Sequence, residues 1–206
     1  MSALPGALRP MRTRWPVVSA AAIMGLASAT AHAGAQQYEA LSASVRATLA
    51  QAVTERAADD RDDPEVREWV RTMLPRIAGN VRDDATAREL LVMTRYEARR
   101  AGLDPRLVLA IIDVESGFRK YAVSRAGARG YMQVMPFWVR EIGMPGQNLF
   151  HVRTNLRYGC VILRHYLQIE NGNLHNALGR YNGSLGRPEY PGRVLRALRE
   201  RWTPGA

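Results

Sequence analysis

The stretch "LVLAIIDVESGFRKYAVSRAGARGYMQVMP", Leu107–Pro136, decides how the chain is read. Just before it, Asp104 and Pro105 supply an N-cap and a proline at the first helical position. Val108, Ile111 and Ile112 then recur at spacings of three and four, which predicts a helix that stops at Gly117. Glu115 falls where this pattern asks for another apolar residue. Apolar neighbours desolvate a carboxylate, and the negative end of a helix repels it, so both disfavour the ionised form. A carboxyl group held protonated near neutral pH is what a general acid for a sugar acetal requires. Periodicity by itself also fits a solvated residue at a helix end.

Working outward, the pattern is helical nearly throughout. Gln36–Ala57 carries Leu41, Val45, Leu49 and Val53 at intervals of four. After the polar "DDRDD" (59–63), Pro64 opens a second helix through Val66, Trp69, Val70 and Met73, which Pro75 and Gly79-Asn80 should end. Further helices are expected over 83–101, 136–142, 155–169, 174–181 and 194–202, with "NGSLGRPEYPG" as a loop before the last. Only Tyr121–Met132 reads as extended, a place for a small hairpin. The class is mostly α, with 1–33 as a leader, 34–80 as an N-terminal helical extension and 81–206 as the main domain.

Composition narrows the function classes. The chain has 206 residues and a net charge of +10. Residues 11–33 have a basic start at Arg12 and Arg14, a short apolar middle and an Ala31-His32-Ala33 ending, the form of a secretory signal peptide cleaved before Gly34. Cleavage there removes three arginines and no acid, leaving +7. A basic exported protein suits an anionic partner such as a cell-wall polymer, and the periplasm is the expected location. Nucleic acid is not expected as a partner, because the arginines are scattered over helices with no recognised binding motif. Cys160 is the single cysteine, which excludes an intrachain disulfide, and its apolar run predicts a buried thiol. His151, His165 and His175 have no ligand spacing, so neither metal nor cofactor is expected.

Glycoside cleavage usually takes two carboxylates. Asp113 projects from another side of the helix, and no acid occurs from Ser116 to Arg140. A second carboxylate would have to come from afar, as from Glu141, Glu170 or Glu189, unless the chemistry needs only one.

The wider pattern supplies such a chemistry. "ESGFRKYAVSRAGARGYMQVMP" resembles the Glu-Ser-x-Phe…Ser-x-x-Gly-Ala-x-Gly-Leu-Met-Gln-x-Met-Pro signature of the family 1 lytic transglycosylases, Slt-type enzymes with a goose-lysozyme-like fold. "NLRYGCVILRHYL" and "NALGRYNGS" resemble that family's later segments, so the likeness runs from about Asp83 to Leu198. The resemblance implies that Glu115 is the single catalytic acid/base. It implies that Ser124, Gln133, Met135 and Asn182 face the sugar, and that Tyr181 brings its hydroxyl to the glutamate. Tyr131 and Arg180 depart from the family's usual leucine and its usual small or apolar residue. The implied substrate is the peptidoglycan glycan strand, cut without water to leave 1,6-anhydromuramic acid ends. A monomer is expected, with cell-wall or secretion-machinery proteins as partners. The alternatives are a lysozyme-like muramidase and a non-catalytic peptidoglycan-binding protein.

Overall fold

The computed structural model describes residues 36–55 and 63–203. The expected leader, 1–33, lies outside them. Eight α-helices follow in order: α1 (Ala43–Thr54), α2 (Pro64–Ile77), α3 (Asp84–Arg100), α4 (Pro105–Ser116), α5 (Phe137–Ile142), α6 (Val152–Ile169), α7 (Leu174–Asn182) and α8 (Glu189–Ala197). A π-helical turn, Leu198–Trp202, extends α8. The expected hairpin is reduced to two isolated antiparallel bridges, Val123 with Arg129 and Arg129 with Val134. The mostly α class therefore holds, and the described residues contain no sheet.

Helix α4 forms the centre. Every side chain from Val108 to Ile112 is fully buried, so the helix is enclosed on all sides rather than along one stripe. Asp104 caps its start by accepting from the Arg106 amide at 2.9 Å, and Gly117 ends it in the left-handed conformation with φ 56°. Around it pack α3, α8 and the π-helical turn, while the long α6 lies against α1, α3 and α7.

Several boundaries differ from the sequence expectation. Helix α1 starts at Ala43 rather than Gln36, because the Ser42 hydroxyl accepts from the Val45 amide and sets the start there. The preceding residues run extended, with Tyr38 edge-on to Phe137 at 5.6 Å and Glu39 paired with Arg180 at 3.2 Å. Helix α2 does not end at Pro75 but continues to Ile77. Pro75 forfeits one backbone bond in the last turn, and full burial of Ile77 offsets that loss. Helix α8 starts at Glu189 rather than Val194. Pro191 is its third residue, where an amide hydrogen would find no partner within the helix, so proline is tolerated.

The end of α1 is fixed by charged side chains from other helices. Arg157 of α6 donates to the Val53 and Glu55 carbonyls, and Arg100 of α3 donates to the Ala52 carbonyl at 2.6 Å. Both guanidinium groups also hold the fully buried Glu97, Arg157 at 3.0 Å and Arg100 at 3.1 Å. Carbonyls left open at a helix end thus receive cations, whose charge Glu97 balances. Cys160 is buried, as expected, and its thiol is pushed well above the usual range by burial.

Candidate active site

Glu115 sits on the last turn of α4, which packs against α8, itself packed against α7. Its carboxyl is half-buried and pushed up to about 7, chiefly by desolvation. Three groups pull the other way. The Tyr190 hydroxyl donates to Glu115 Oε1 at 2.7 Å, and the Arg193 charge and the Asn182 side chain favour the ionised form more weakly. Arg193 lies over the Tyr190 ring, 5.9 Å from its centroid. No carboxylate figures among the groups acting on Glu115.

The other acids named from sequence are engaged elsewhere or exposed. Asp113 accepts from Arg201 at 2.9 Å and from the Trp202 indole at 3.2 Å. Glu141 pairs with Arg46, Glu170 pairs with Arg180, and Glu189 is exposed at the start of α8.

The loop from Gly117 to Pro136 follows α4 directly, and α6 holds it. Asn155 accepts from the Met132 amide at 2.8 Å and donates to the Arg129 and Leu149 carbonyls at 2.8 and 2.9 Å. Gly159, one turn on, allows Met132 to lie flat on the helix. A Cβ at that position would come within 2.3 Å of the Met132 sulfur. Phe118 and Gln133, near the two ends of the loop, both take left-handed backbone angles, φ 64° and 48°. Such strain persists only where surrounding contacts hold it. Burial of Phe118 against Trp202 supplies this at one end, and the Gln133 amide, donating to the Ala122 and Gly130 carbonyls, at the other.

The residues named from sequence therefore play unequal parts. Asn182 lies beside Glu115. Tyr181 does not bring its hydroxyl to the glutamate: it is fully buried and donates to the Met132 carbonyl at 2.7 Å. The tyrosine on Glu115 is Tyr190, which sequence reasoning left in a loop. Reading Pro191 as a first-turn residue of a helix would have placed Tyr190 and Val194 on one buried face. Ser124 accepts from the Ala128 amide at 3.0 Å within its own turn. Gln133 is buried with its amide nitrogen committed to backbone carbonyls, leaving its oxygen as the group able to accept. Met135 is half-buried, and its amide donates to Gln36 at 3.1 Å. Gln36, also unforeseen, is buried and ties the chain before α1 to this loop.

Among the described residues no group of three or more His, Cys, Asp or Glu side chains is placed to hold a metal. The arrangement is that of a helical domain with one carboxyl group of raised pKa, bonded by a phenol, and no second acid among the described groups that act on it. Residues 93–194 match the family model described as "Transglycosylase SLT domain". Over 60 residues it is 47% identical to membrane-bound lytic murein transglycosylase C of Actinobacillus pleuropneumoniae serotype 5b, covering 29% of this chain and 16% of that relative. The chain thus spans about a sixth of the length of the curated relatives it matches. Among solved structures it is similar to the 70 kDa soluble lytic transglycosylase of Escherichia coli. That match has 23% identity and a TM-score of 0.42, over 74% of this chain and 26% of that one. It is also similar to lytic transglycosylase Slt of Pseudomonas aeruginosa, at 22% identity and a TM-score of 0.39, over 74% and 31%.

Proposed function

We propose that the protein is a peptidoglycan lytic transglycosylase of the cell envelope, exported to the periplasm by residues 1–33, with 81–206 as the catalytic unit and 34–80 as a bracing extension. The observation that carries this is the solitary Glu115 carboxyl, raised to about 7 and held by Tyr190. The SLT match over residues 93–194 and the transglycosylase relatives support the same reading.

Protonated Glu115 donates its proton to the glycosidic oxygen between N-acetylmuramic acid and N-acetylglucosamine as the C1–O bond breaks. The 2-acetamido oxygen of the muramoyl residue assists at C1. Glu115, now ionised, takes the proton of the muramoyl C6 hydroxyl, whose oxygen closes the 1,6-anhydro ring on C1. The attack is intramolecular, so orientation can supply roughly 7 kcal/mol or more of barrier lowering. A second carboxylate to activate water is then unnecessary. The two demands on Glu115, acid first and base second, are met best when its pKa lies near the working pH. Tyr190 aims the carboxyl and stabilises its charge between the two proton transfers. Asn182, Met135, the Gln133 amide oxygen and Ser124 are assigned to the sugar-facing side.

The test is product analysis on purified glycan strands by mass spectrometry. Products ending in 1,6-anhydromuramic acid are expected. Reducing muramic acid ends would mean hydrolysis, and absence of any cleavage would mean a binding protein.

A further inference from the structure

The surface of the 117–136 loop has a consistent character. No acid occurs from Ser116 to Arg140, while Arg119, Lys120, Arg125, Arg129 and Arg140 do. Two apolar side chains stand out of it, Tyr121 at 71% exposure and Val123 at 60%. The Tyr121 ring lies 5.8 Å from that of Phe150. Each ring carries a cation, the Lys120 ammonium 5.5 Å from the Tyr121 centroid and the Arg129 guanidinium 5.9 Å from that of Phe150.

Beside this ledge a cleft of about 670 Å³ opens between α3 and the start of α6, lined by Arg88, Glu89, Lys120, His151 and Arg153 among others. Asp84 engages Arg88, but Arg153 has no carboxylate partner among the described residues, and Glu89 is the one acid in the lining. No side chain caps the first amides of α6.

We propose that this ledge and cleft bind the acidic peptide stem carried by the muramoyl residue of the glycan strand, with Lys120, Arg129 and Arg153 meeting its carboxylates and Tyr121 its aliphatic side chains. The proposal rests on the transglycosylase reading and deepens it. The cations are spread over two rings and a cleft rather than converging on one point. That layout suits carboxylates distributed along a chain better than a single phosphate, which convergent donors would hold. Reach is sufficient: Lys120 is five residues from Glu115, so its Cα is within about 18 Å, and a five-residue stem extends a similar distance.

The test has two arms on the full chain. In the first, binding of a soluble muramoyl tripeptide with free carboxylates is measured by calorimetry against its amidated form, for the wild type and for Lys120→Ala/Arg153→Ala. Preferential binding of the charged form, weakened roughly fivefold in the double variant and by added salt, is expected. In the second, turnover is compared on stem-bearing and stem-free glycan strands. The double variant should raise KM about fivefold on stem-bearing strands alone, leaving kcat and stem-free turnover unchanged. Equal binding of charged and amidated peptides, or an equal effect of the variant on both strands, would overturn the proposal. So would loss of anionic-vesicle binding in the variant without loss of peptide binding, which would make the ledge a lipid-facing surface. Peptide binding without cleavage of either strand would refute the transglycosylase reading and leave this site standing.

Discussion

Glu97 and Glu115 are both helical carboxylates taken largely out of water, and they are put to opposite uses. Glu97 is wholly enclosed and meets two arginines at 3.0 and 3.1 Å, which also hold the open carbonyls of α1. Glu115 meets a phenol at 2.7 Å and forms no ion pair among the described residues, and is pushed up to about 7. Burial is therefore not what makes a carboxyl reactive. The partner decides: a guanidinium fixes the charge permanently, whereas a hydroxyl aims the group and leaves its proton free to move.

The same substitution at both positions tests this contrast most directly. Glu115→Gln should lower strand cleavage by about a thousandfold, the scale of a lost general acid, with the fold retained. Retained turnover would remove Glu115 from its assigned role. Glu97→Gln should do the reverse in kind. It leaves two buried guanidinium groups short of charge and should cost about 3–5 kcal/mol in denaturant unfolding. A variant of unaltered midpoint would show that the cluster is not what anchors α1.

Tyr190→Phe is a finer probe. Its hydroxyl favours ionised Glu115, so its loss should raise the carboxyl's pKa further. Activity that requires the protonated acid should then persist to higher pH, while its maximum falls roughly tenfold from lost orientation. An alkaline limb unmoved by this change would mean the tyrosine does not act on the carboxyl.

A further effect is on stability. Glu115 binds its proton more tightly folded than at its ordinary value of 4.5. Between about 4.5 and about 7 the folded chain then holds more protons than the unfolded one, so this group lowers stability as pH rises through that window. Wild type minus Glu115→Gln should show that downward slope in paired unfolding curves. A flat difference would mean a carboxyl with the same affinity for its proton in both states.

Much of this was legible in advance because it is local. Helix α4, its Asp104 cap, its Gly117 stop and the placing of Glu115 at its end follow from spacing along one segment. Helices α3, α6 and α7 were found within a few residues for the same reason. Two of the misjudged boundaries involve prolines, whose effect depends on where in a turn they fall. Pro75 interrupts a last turn that buried Ile77 sustains, and Pro191 sits in a first turn where nothing is lost. That second misreading hid Tyr190, because a tyrosine in a glycine- and proline-rich run gives no periodic signal.

The chain's own order thus specified one acid at a helix end, an acid-free loop after it and a helical frame around both, since each depends on neighbours three or four residues away. Which tyrosine reaches that acid, how Arg157 comes to the buried Glu97, and how Gln36 meets Met135 depend on residues 75, 60 and 99 positions apart. Such pairings are set by how helices pack, and no local spacing encodes them.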